Sequence, residues 1–118
     1  MTDKLDFYSG YEGEPEIIFE LIKNNNIIKT VHIWDGHLLF IVEKAVKNDS
    51  GWKGIAGAYY NGDMDEVWIF DNLHECLEDL ERTDITTEDN ETQTVYYALI
   101  NLFKEAIEKE CIIKVYND

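Results

Sequence analysis

The chain has one proline, Pro15, and seven glycines among 118 residues, which leaves no composition for a long linker or a low-complexity tract beyond Asn24-Asn25-Asn26. Cysteine is equally sparse. Cys76 and Cys111 lie far apart without C-x-x-C spacing, and they read as buried reduced thiols rather than a disulfide or metal framework. No apolar run approaches the ~20 residues that a membrane helix needs. The first residues, Met1-Thr2-Asp3-Lys4-Leu5-Asp6, lack the basic start and apolar stretch of a secretory leader. A cytoplasmic location is therefore expected. Basic residues are the scarcest functional class, 10 Lys and Arg against 25 Asp and Glu, for a net charge of −15. Affinity for nucleic acid backbones comes from Lys and Arg displacing counterions, and attraction to anionic lipid works in the same way. No direct nucleic acid binding and no membrane binding are expected. A basic protein partner is allowed.

Hydrophobic residues make up 45% of the chain and aromatic residues 13%, enough to exclude a disordered protein. At this length the chain can bury roughly two thirds of its unfolded surface without a metal or a disulfide. Residues 1–118 are expected to form a single acidic α+β domain.

The hydrophobic pattern predicts the elements. Runs 27–34 and 37–43 are rich in strand formers and flank Asp35-Gly36, a strong two-residue hairpin signal. That pairing would put Val31, Ile33, Leu38, Phe40 and Val42 on a core face. Thr30, His32, Trp34, His37, Leu39 and Ile41 would share a mixed face. A third strand is expected at 52–60 after a turn at 48–51, and a fourth at 67–70 after Asn61-Gly62-Asp63. Segment 14–23 fits a helix beginning at Pro15 or a strand closed by Asn24-Asn25, and the strand is favoured. Asn72 precedes Glu75 by three positions and starts a helix whose apolar face is Leu73, Cys76, Leu77 and Leu80. The longest helix is expected at 94–110, with Val95, Leu99, Leu102, Phe103, Ala106 and Ile107 inward, before a strand at 111–116. The expected fold is α+β, an antiparallel β-meander with two C-terminal-half helices packed on the sheet and a closing C-terminal strand.

Few residues suggest catalysis. His32 and His37 would share a strand face, but zinc needs further ligands that the hairpin does not contain. The stretch Asn61-Gly62-Asp63-Met64-Asp65-Glu66 lacks the glycine and the twelfth-position glutamate of a calcium loop. Gly51, Gly54 and Gly57 match no phosphate-binding pattern and read as places where backbone packs closely. Ser9 and Ser50 stand in no nucleophile motif. Neither a metal, nor a cofactor, nor an enzyme is expected.

The charge is concentrated. Residues 63–91 hold twelve acids and one base, Arg82, and so carry −11, whereas residues 21–62 carry +2. A helix burying Leu73 and Leu77 would project Glu75, Glu78, Asp79 and Glu81 outward. Asp63, Asp65 and Glu66 would extend that surface, as would the loop 84–91. Tyr60, with Tyr59 and Trp68 nearby, would supply an aromatic anchor. Such a field repels itself in the isolated domain and would steer a basic partner inward at high rate.

A chain of this size, acidic and without catalytic motifs, resembles the immunity proteins of bacterial polymorphic toxin and contact-dependent growth inhibition systems. The likeness lies in Ser50-Gly51-Trp52-Lys53-Gly54-Ile55-Ala56, the Trp-containing strand that follows it, and Asp71-Asn72-Leu73-His74-Glu75-Cys76. It implies a protein that binds and neutralises a cognate toxin domain in a 1:1 complex. The toxin domain is often a nuclease, with acidic side chains taking the place of phosphates. Two other readings are an adaptor domain that docks a basic protein without inhibiting it, and a small hydrolase or ligand-binding domain built around His32, Trp34 and His37.

Overall fold

The computed structural model describes residues 2–45 and 51–118. In chain order the elements are β1 (Asp3–Phe7), β2 (Glu16–Lys23), β3 (Asn26–Trp34), α1 (Asp35–Val42), α2 (Gly54–Tyr60), a 3₁₀ turn (Asp63–Asp65), β4 (Trp68–Ile69), α3 (Leu73–Glu81), α4 (Asn90–Lys109) and β5 (Ile112–Asn117). The strands form one sheet in the order β1-β3-β2-β5-β4, with β1 parallel to β3 and the other pairs antiparallel. The class is α+β, with two helices in the C-terminal half and β5 closing the sheet between β2 and β4.

Within segment 14–23, Glu16–Lys23 form strand β2, and its hairpin with β3 turns on Asn24 and Asn25, whose φ angles are 52° and 66°. Asparagine tolerates this left-handed region, and a two-residue hairpin loop requires it twice. Asp35-Gly36 makes no such turn. Residues 35–42 are helix α1, which corrects the expected strand at 37–43 and its pairing with β3. Trp34 is still extended, at ψ 136°, and Asp35 opens the first helical turn, where a carboxylate suits the positive end of the helix. Gly36 serves close packing instead of backbone freedom, because a Cβ there would lie 2.4 Å from the Trp34 ring. Of the predicted core face, Val31, Ile33, Leu38 and Val42 are buried and Phe40 half-buried, while Ile41, placed on the mixed face, is buried too.

The strand expected at 52–60 is likewise helix α2 from Gly54. Its glycines do let backbones approach, Gly57 that of Trp52 just before the helix and Gly54 that of a second helix. At Gly54, with φ +60°, a Cβ would sit 3.2 Å from the Cα of Cys76 on α3. Of the turn expected at 48–51 only Gly51 belongs to the described residues, and Ser50 lies outside them. The sheet gains β1, which pattern reading did not anticipate, and α4 begins at Asn90 instead of Thr94 because Asp89 caps it.

All the helices pile on one face of the sheet. Ile17, Phe19 and Leu21 of β2, Val31 and Ile33 of β3, and Ile113 and Val115 of β5 face Leu99, Leu102, Phe103 and Ala106 of α4. Phe70 links the layers, with its ring 6.4 Å from Phe19 and 5.5 Å from Phe103. Lys29 Nζ crosses from β3 to Glu105 on α4 at 2.6 Å. The opposite sheet face carries a polar lattice. Glu20, only 7% exposed, meets Lys114 Nζ and the Tyr116 hydroxyl, each at 3.2 Å.

Candidate functional site

The acidic run 63–91 wraps three structural neighbours. Helix α2 packs against the 3₁₀ turn and against α3, and α3 packs against α4. Asp63 is half-buried in the 3₁₀ turn, and Asp65 and Glu66 are exposed beside it. Tyr60 ends α2 just before them and is 42% exposed, with its ring 5.0 Å from Trp52 and edge-on to Tyr59 at 5.7 Å. Asp35, Tyr59, Met64 and Asp65 border a cleft of about 300 Å³. Burial pushes the Tyr59 phenol up to about 12, and the Asp35 carboxylate adds to the effect.

Helix α3 forms as its sequence predicts. The Asn72 side chain accepts the Glu75 backbone N–H at 3.0 Å, and Cys76 and Leu80 are buried. Glu78 and Glu81 are exposed and Glu75 is half-buried. Asp79 differs from the other three. It is half-buried against Gly54 of α2, one of its oxygens is buried without a partner, and the other ion-pairs with Arg82. The 3₁₀ turn and Asp79 thus lie at opposite ends of α2, a seven-residue helix about 10 Å long. Within the run, the only base is already paired. Among the described residues no ion pair reaches Asp65, Glu66, Asp71, Glu75, Glu78 or Glu81.

Burial, reinforced by Glu75, Asp79 and Asp71, pushes the Cys76 thiol up to about 12. Cys111 is also buried and unbridged. The three histidines stand apart. His32 lies on the outer sheet face with Glu16 Oε2 2.9 Å from its Nδ1, His74 is exposed on α3, and His37 faces the start of α4. Among the described residues no group of three or more His, Cys, Asp or Glu could hold a metal.

At the other end of the acidic run, Asp84 and Asp89 serve the local structure. Asp84 accepts the Thr86 N–H at 3.0 Å and its hydroxyl at 2.7 Å, and Asp89 caps α4 through the Thr92 N–H at 2.7 Å. Those hydrogen bonds hold both carboxyls below the ordinary carboxylate range. Glu91 accepts the Tyr11 hydroxyl, and that bond pushes the Tyr11 phenol above its ordinary range. Tyr11 stacks on Trp34 at 4.7 Å, and His37 meets both rings edge-on at 5.1 Å. Beside this group lies a cleft of about 530 Å³. Tyr11 and Glu91 are 80 positions apart, so no local pattern joins them.

Comparison with protein-family models, with curated proteins and with solved structures finds no match for this chain. Among the described residues no helix is long and apolar enough to cross a membrane.

Proposed function

We propose that this domain is a non-catalytic binding protein of the immunity type, which neutralises a basic toxin domain in the cytoplasm by presenting the carboxylates of α3 and of the 3₁₀ turn. One observation carries the reading. Glu75, Glu78 and Glu81, with Asp65, Glu66 and Asp71, have no cationic partner among the described residues, while the one arginine nearby is held by Asp79. Carboxylates left unpaired at this density repel one another, and a basic surface relieves that repulsion on docking. Tyr60 supplies the aromatic contact beside them, exposed at the end of α2. Asp79 is set aside as a contact residue, since its side chain is engaged between α2 and Arg82.

The experiment pairs the chain with the toxin domain encoded beside its gene. Co-expression should protect cells, and purification should yield a 1:1 complex. Reversing Glu75, Glu78 and Glu81 to Lys should slow association by about tenfold or more and flatten its salt dependence, because steering acts on the encounter. Association rates indifferent both to salt and to these reversals would sink the reading. A salt-sensitive complex that leaves the partner fully active would replace inhibition with adaptor docking.

A further inference from the structure

The cleft at the start of α4 was not foreseen in the acidic surface, and its chemistry is specific. Phe7 and Val95 provide apolar wall, and Ser9, Asn90 and Thr94 provide neutral polar groups. Glu91 is the charged group at the rim, its side chain 68% exposed. Among the described residues no lysine or arginine lines it. His37 lines it from the protein side, 3% exposed, with Nδ1 buried and unpartnered. Its Nε2 lies 3.4 Å from the Tyr11 oxygen and 3.4 Å from Glu91 Oε2. The Tyr11 hydroxyl donates to that same Oε2, so the carboxylate is fixed at one oxygen. Its Oε1 accepts no hydrogen bond from any described residue.

We infer that this cleft is an anchor pocket for an arginine or lysine side chain of the protein partner, with Glu91 Oε1 as the counter-ion. The inference rests on the partner reading above and names a second contact for it. The charge balance decides the sign of the ligand. The N-terminus of α4 contributes about half a positive charge, and the carboxylates of Asp89 and Glu91 more than cancel it. An anion would meet Glu91 directly, whereas a cation finds a prepositioned acceptor. The shape fits as well. A side chain with an apolar stem and a charged head lays its methylenes along Phe7 and Val95 and leaves the head beside Glu91, Asn90 and Ser9. Tyr11, stacked on Trp34 and donating its hydroxyl to the carboxylate, is a positioning residue that holds Glu91 at the rim. Preorganisation of this kind lowers the ordering cost of binding.

The test needs no knowledge of the partner. N-acetyl-arginine amide is titrated into the wild-type domain at about pH 8, above the ordinary imidazole range, while the His37 and Trp34 ring resonances are followed by NMR. Saturable shifts are expected, with half-saturation on the order of 1–10 mM, as for a single charged side chain. The uncharged N-acetyl-norleucine amide should bind about tenfold more weakly, and Glu91→Gln should weaken the arginine probe by a similar factor. Glu91 is mostly exposed, so this variant keeps its fold, which an unchanged spectrum elsewhere verifies. Tyr11→Phe should weaken the probe less than Glu91→Gln. The triple reversal of Glu75, Glu78 and Glu81 should leave the titration unchanged, which separates this pocket from the α3 surface. Shifts that do not saturate, that the norleucine compound reproduces, or that survive Glu91→Gln would overturn the pocket and leave the α3 proposal standing.

Discussion

At the start of α4, the carboxylates of Asp84, Asp89 and Glu91 each accept a hydrogen bond from the chain itself, whereas the carboxylates of Glu78 and Glu81 on α3 accept none from the described residues. The two groups come from one uninterrupted acidic run, and by charge alone they are indistinguishable. What separates them is geometry within a few residues. Asp84 and Asp89 sit where backbone N–H groups are left over at a turn and a helix end, so their charge is consumed locally. Glu78 lies mid-helix, where the backbone is already satisfied, and Glu81 ends α3, where the backbone leaves over carbonyls and no N–H groups, so their charge is left for solvent or for another protein. A charged run is therefore not one functional unit. Asp79 shows the boundary, since it belongs to α3 by position and to the structural group by contact.

That assignment of Asp79 depends on Gly54, which gives the largest expected effect. Gly54→Ala places a Cβ 3.1 Å from Asp79 Oδ2 and 3.2 Å from the Cys76 Cα, at a φ of +60°. The left-handed backbone and the clash with main chain together should cost about 2 kcal/mol or more. Urea denaturation measures the loss. If the midpoint does not move, α2 does not close on α3 as described, and Asp79 returns to the open group.

The next effect compares the two groups head to head. Asp89→Ala removes the α4 cap and should cost about 1 kcal/mol, while Glu78→Ala should stay within about 0.5 kcal/mol. The Asp89 cap also carries a pH dependence. Because the Thr92 N–H holds the Asp89 carboxyl below its ordinary range, its stabilisation is fully present above about pH 4. It is lost as pH falls through the lower folded value. Acid melting curves of wild type and Asp89→Ala should therefore converge at low pH. Parallel curves for Asp89→Ala would mean that the cap owes nothing to its charge.

What could be read from the residues was local. The Asn72 cap, the buried stripe of α3 and the alternation of β5 all depend on neighbours within four positions, and all hold. Asp35-Gly36 and Asn24-Asn25 carry similar turn chemistry, and nothing nearby tells them apart. The choice falls on packing between distant elements, where Trp34 needs a residue without a Cβ at Gly36. The apolar run 38–42 then buries as a helix against α4, because strand preference is weak where tertiary contacts decide. Strand β1 pairs in parallel with β3 and leaves no short-range mark. The split among the acids was half legible. Asp89 three residues before Thr92, at the head of an apolar periodicity, carries a cap signal like that of Asn72. Glu91 carries none, since its partner Tyr11 is distant in sequence.

The smallest effect is the most direct check on the open group. Exchanging Glu75, Glu78 and Glu81 together for Gln should change stability by no more than about 0.5 kcal/mol, and in the stabilising direction. Two opposed contributions leave this small remainder. Glu75 sits in the first turn of α3, where its charge suits the helix end, and losing it costs a few tenths of a kcal/mol. Glu81 closes the same helix, which has no basic residue in its last turn, so its charge faces the negative end and losing it helps. Mutual repulsion along i,i+3 spacings adds to the gain. The salt response carries more information than the size. Melting temperature of the wild type should rise between low and high NaCl as repulsion is screened, and the triple variant should rise less. A variant destabilised by several kcal/mol would mean that these carboxylates hold the fold as Asp89 does, and the surface proposed for a basic partner would be structural after all.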